Sequence, residues 1–85
     1  MASTSHDIAD LVRAIVEPLV DDKEAVDVAS SIDESGSELV EIRVAADDCG
    51  KVIGRQGRVI KSIRVLARAA LCGEGRDVSV ELVED

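Results

Sequence analysis

The 85-residue chain suits one domain with a single modest core, and its 46% apolar and 33% charged content is that of an ordinary globular protein. No apolar run approaches the ~18 residues that cross a bilayer, and Met1 to His6 lacks a signal peptide's basic and apolar regions, so a cytoplasmic protein is expected. The net charge of −8 argues at first against polyanionic partners, while the lack of Phe, Tyr and Trp leaves a core of Val, Ile, Leu and Ala whose thin stability margin favours self-association.

Residues 1–6 are expected to form a flexible tail and residues 7–85 a single domain. Ile8, Leu11, Val12, Ile15, Val16 and Leu19 line one face of an amphipathic helix, with Ser5 or Asp7 placed to cap it. Pro18 cannot donate a backbone hydrogen bond, so the helix should bend or end near Glu17. Val26, Val28, Ser30 and Ile32 alternate with polar or small residues, as do Val40, Ile42 and Val44. These segments predict two half-buried strands joined by a hairpin turn at Glu34 to Ser37, with an acidic outer face unsuited to RNA.

A short helix from Cys49 to Ile53 should follow, capped by Asp47 or Asp48 and stopped by Gly54. A longer helix should start near Gly57, with an apolar stripe of Ile60, Ile63, Ala67, Ala70 and Leu71. Arg58, Lys61 and Arg68 point elsewhere, Arg64 lies on the flank, and Gly73 is a natural stop. Val78, Val80 and Leu82 then predict a third strand. Cys49 and Cys72 lack a CxxC partner or a histidine cluster, which favours small buried thiols over a zinc or redox site.

The charge is unevenly distributed. Between Lys51 and Gly73 lie six basic residues, Lys51, Arg55, Arg58, Lys61, Arg64 and Arg68, and no acidic ones. The remainder holds four basic against eighteen acidic residues, a balance of −14. Surface fields fade over a Debye length of about 8 to 10 Å, so such a patch can attract phosphate while the distant acidic surface limits indiscriminate binding. A solvated helix face is the plainer alternative.

Inside this stretch, Val52-Ile53-Gly54-Arg55-Gln56-Gly57-Arg58-Val59-Ile60 joins the two predicted helices. Two glycines permit a sharp turn with no side chain to hold a sugar-phosphate chain away, and the turn leads into a helix whose first amides lack internal partners. Arg55 can add a charge-assisted hydrogen bond, Gln56 can donate or accept, and Arg58, Lys61 and Lys51 extend the positive surface.

The segment resembles the KH signature I-G-x-x-G-x-x-I. KH modules grip about four nucleotides with this loop and need no aromatic platform, whereas the aromatic-free composition counts against RRM and aromatic-dependent OB readers. By resemblance, Val52, Ile53, Ile60, Ile42 and Val44 would border the base groove, although ordinary core packing explains each one individually. The order helix, strand, strand, helix, helix, strand implies an α+β, type II KH domain: a three-stranded mixed sheet with three helices on one face.

More narrowly, Ala14-Ile15-Val16-Glu17-Pro18-Leu19-Val20-Asp21 together with Gly50-Lys51-Val52-Ile53-Gly54-Arg55-Gln56-Gly57 is similar to the KhpA family of bacterial stand-alone KH proteins. That resemblance implies single-stranded RNA binding and RNA chaperone activity. It further implies self-association, association with a larger KH-containing RNA-binding protein called KhpB, and a role in cell elongation and peptidoglycan homeostasis. No catalytic residue, cofactor or metal ligand is expected, since the lone His6 sits in the tail and Gly50-Lys51 lacks a P-loop's upstream glycines. The rival expectation is a protein-interaction module using the helix around Ile60 to Leu71.

Overall fold

The computed structural model describes residues 4–71 and 75–84. Helix α1 spans Thr4–Val16 and buries Ile8, Val12 and Val16, which are spaced by four residues along one face. It begins at Thr4, earlier than the apolar stripe from Ile8. As expected from Pro18, the α-helical pattern ends at Val16, and Glu17–Leu19 tightens into a 3-10 turn. The Lys23 ammonium donates to the carbonyls of Glu17 at 3.1 Å and Val20 at 2.8 Å, occupying oxygens near the helix end.

Strands β1 (Asp27–Ile32) and β2 (Glu38–Arg43) pair antiparallel, with Val28 opposite Ile42 and Ser30 opposite Val40. The hairpin is organised by Asp33, one residue ahead of the predicted turn. Its carboxylate accepts from the Ser35 hydroxyl at 2.6 Å and from the amides of Ser35 and Ser37 at 2.9 and 3.0 Å. These bonds, the Ser35 hydroxyl foremost, hold the Asp33 carboxyl below its ordinary value.

Helices α2 (Cys49–Ile53) and α3 (Arg58–Leu71) form the crossover from β2 to β3 (Val78–Leu82), which lies parallel to β2 with Val80 beside Val40. The sheet order is therefore β1-β2-β3, with β2 central. Ile60, Ile63, Ala67 and Leu71 of α3 join the α1 stripe over Val40, Ile42, Val78 and Val80. Ala70, predicted on this stripe, sits at its margin and is exposed. Gly73, the expected stop, and Cys72 lie outside the described residues. Cys49 is half-buried rather than enclosed.

The helix-free face of the sheet carries Glu41 and Glu81 in register on neighbouring strands, which makes it acidic, as the alternation predicted. A charge on β2 is buried unannounced. Glu38, 1% exposed, pairs with Arg76 at 3.2 Å.

Candidate nucleic-acid interface

The turn between α2 and α3 is built by backbone geometry. Gly54 ends α2 at φ 75° and ψ 176°, with its amide bonded to the Gly50 carbonyl at 2.9 Å. A Cβ at this position would approach the Val59 amide to 3.0 Å and the Val59 side chain more closely, so both space and backbone conformation disfavour any side chain here. Gln56 takes a left-handed conformation at φ 56°, ψ 24°, and Gly57 follows at φ 73°, its amide bonded to the Gly54 carbonyl at 3.2 Å.

The result is a tight left-handed loop from which Arg55 and Gln56 protrude. Arg55, Gln56 and Arg58 line an open depression of about 360 Å³. The Arg58 guanidinium donates to the Gln56 side-chain carbonyl at 3.1 Å, so each orients the other. Lys61 follows on the exposed side of α3. Among the described residues, ion pairs form at Arg13, Lys51 and Arg76, and none at Arg55, Arg58 or Lys61. Three cations at the loop and the start of α3 thus stand without carboxylate partners, beside a helix terminus that itself favours anions.

Lys51 stands differently from the other basic residues singled out in the sequence. Its ammonium donates to Asp48 at 3.1 Å and to Asp21, and these two carboxylates, Asp21 first, raise its pKa above the ordinary lysine value. Asp48 occupies the predicted cap position, yet its side chain makes no capping bond. It reaches across to the α1–β1 connection and accepts from the Asp22 amide at 3.0 Å. That amide bond, ahead of Lys51, holds the Asp48 carboxyl below its ordinary value. Arg64 is likewise engaged, donating from Nε to the Val80 carbonyl at 3.1 Å and tying α3 to β3.

The apolar residues proposed for a base groove divide in two. Ile42, Val52 and Ile60 belong to the core, whereas Ile53 and Val44 are half-buried. Val44 borders a cavity of about 290 Å³ together with Ala46, Cys49, Val83 and Glu84. Sequence reasoning missed Val83 here because only the parallel pairing of β3, sealed by the Val83 amide to the Ile42 carbonyl at 2.8 Å, brings the chain's end beside Val44. A second, more apolar cavity of about 280 Å³ lies between α1 and α3, lined by Ile15, Leu19, Val59 and Leu66 among others. Among the described residues, no group of three or more His, Cys, Asp or Glu is placed to hold a metal ion, and no helix is long and apolar enough to cross a membrane.

The profile of the KhpA/KhpB KH domain matches residues 9–82, spanning every strand and the glycine turn. The chain belongs to that KH family. It is 42% identical over 76 residues to the RNA-binding protein KhpA of Caldanaerobacter subterraneus subsp. tengcongensis, covering 89% of this chain and all of the relative. It is 42% identical over 74 residues to the Clostridium perfringens protein of the same name, covering 87% of this chain and 97% of the relative. Among solved structures, Era from Aquifex aeolicus bound to GDP and aluminium fluoride superposes with a TM-score of 0.66 at 20% identity. The match covers all of this chain and 33% of that one. Era in complex with MgGDPNP and a 16S ribosomal RNA fragment superposes equally well, at the same TM-score and identity, over 99% of this chain and 33% of that one. At that identity the likeness establishes the α+β KH fold.

Proposed function

We propose that this KH domain binds single-stranded RNA by its sugar-phosphate backbone. Gly54, Arg55, Gln56 and Gly57 form the clamp, with Arg58 and Lys61 continuing the positive surface along α3. The carrying observation is the double-glycine left-handed turn, edged by guanidiniums without carboxylate partners in a chain of net charge −8. The naming of its relatives as RNA-binding proteins supports the same reading. Bases would lie against Ile53 and toward the cavity at Val44 and Val83, read by shape and hydrogen bonding rather than aromatic stacking.

In this reading the protein is a cytoplasmic RNA chaperone or post-transcriptional regulator. The family's joint name supports a KhpB-type partner, and a part in cell elongation and peptidoglycan homeostasis is proposed from the resemblance alone. A protein-docking role is favoured by a separate observation: the exposed Leu19 and Leu66 line the apolar cavity between α1 and α3, while Leu11 on α1 and Val65 on α3 are further exposed large apolar residues of those helices. Pairing two copies there would place two clamps on one RNA and raise effective affinity.

The experiment is binding of short single-stranded RNA at two salt concentrations, comparing the protein with Arg55→Asp/Gln56→Asp after circular dichroism shows both folded. Affinity should fall as salt rises, and the double variant should lose at least about tenfold. Equal binding by both proteins would remove the loop from the interface.

A further inference from the structure

Lys51 lies on α2, three residues before Gly54, and is the one cation near the turn that the fold has already neutralised. Its two partners differ in kind. Asp48 has a side chain 3% exposed, and the Asp22 amide holds its second oxygen, so it cannot leave without stranding a buried charge. Asp21 has a side chain 89% exposed and can rotate into solvent at little cost. The connection carrying Asp21 follows the end of α1, and that end reaches the exit of the turn, where Leu19 shares a cavity with Arg58 and Val59.

We infer that Asp21 is an exchangeable counter-ion, occupying Lys51 in the free protein and yielding it to an RNA phosphate, so that this carboxylate sets the strength of binding. The inference rests on the RNA-binding reading above. An ammonium has three donors. Asp48 keeps one and fixes the side chain's direction, while the donor that Asp21 holds is transferred from one anion to another. The raised pKa means that Lys51 remains charged throughout, so the exchange moves no proton. An exposed carboxylate is a weaker competitor than a phosphate presented by a polyanion already docked at Arg55 and Arg58.

The test compares short single-stranded RNA binding by the full chain, Asp21→Asn and Glu24→Gln across a salt series. Glu24→Gln removes an exposed carboxylate from the same connection that has no ion pair with Lys51. Asp21→Asn should bind about two- to fivefold tighter, matching release of an exposed pair. Its log-log salt slope should stay near the parent's, since Lys51 meets the same phosphate in both proteins; a slope steeper by about 0.7 would mean that Lys51 reaches a phosphate only in the variant and would overturn the exchange. Glu24→Gln should change affinity far less and leave the slope in place. In a Lys51→Met background the gain from Asp21→Asn should vanish.

Equal shifts in the two single variants, or a gain that persists without Lys51, would overturn the exchange. The first comparison stands whether or not Lys51→Met folds. Failure of the unmodified protein to bind RNA would overturn the RNA-binding reading itself, and the exchange with it.

Discussion

Gly54 and Gly57 both have positive φ, but a side chain meets different surroundings at each. At Gly54 the backbone occupies a region that is nearly glycine-only, and Val59 fills the space a Cβ would need. At Gly57 the nearest neighbour to such a Cβ is Ile60 at 3.9 Å, leaving conformational strain alone. Gly54→Ala should therefore cost roughly 2 to 4 kcal/mol and Gly57→Ala about 1. Urea unfolding followed by far-ultraviolet circular dichroism would show the difference. Gln56, left-handed without being glycine, keeps its conformation alongside the bond from Arg58 to its side chain, so the two side chains are held as one unit.

At the scale of elements, α2 is only five residues long and draws its position from Asp48 rather than from length. The Asp48 carboxyl has a lowered pKa in the folded state, so its contribution to stability is complete above about pH 4, its unfolded range, and disappears as pH falls through the lower folded value. Asp48→Asn should accordingly be less stable than the parent at neutral pH, with the gap in thermal midpoint narrowing as pH drops below about 4. A constant gap would mean that the carboxylate's charge is not what anchors α2.

The order of elements, the stop at Pro18 and the glycine turn were legible because each is written in residues adjacent in the chain. The partnership of Asp48 with Asp22, of Lys51 with Asp21 and of Arg64 with Val80 joins residues 16 to 30 positions apart, and no local period announces it. Three of the five residues assigned to a groove, Ile42, Val52 and Ile60, are core for the same reason: periodicity names an apolar face but not what covers it.

The whole molecule separates its charge, with an unpaired cationic edge at the turn and an acidic helix-free face of the sheet bearing Glu41 and Glu81. Electrostatic guidance of a polyanion toward one edge, with repulsion elsewhere, follows from that layout. The exposed apolar strip on α1 and α3 lies apart from the acidic sheet face. Leu66→Glu, at an exposed position, should leave the circular dichroism spectrum and the single-site RNA affinity near those of the parent, while sedimentation reads any self-association as lost. Unchanged sedimentation alongside demonstrable dimers would move the contact to another surface.

The glycine turn sits inside the only connection between β2 and its parallel neighbour β3, and β3 is held by Arg64 on one side and the Val83 amide on the other. Release of that last strand would deprive both α2 and α3 of their footing at once. A hairpin of β1 and β2 alone is marginal in water, and the proposed clamp needs β3 in place beside β2. Occupancy of the proposed site should therefore raise the melting temperature and slow proteolysis along the C-terminal strand.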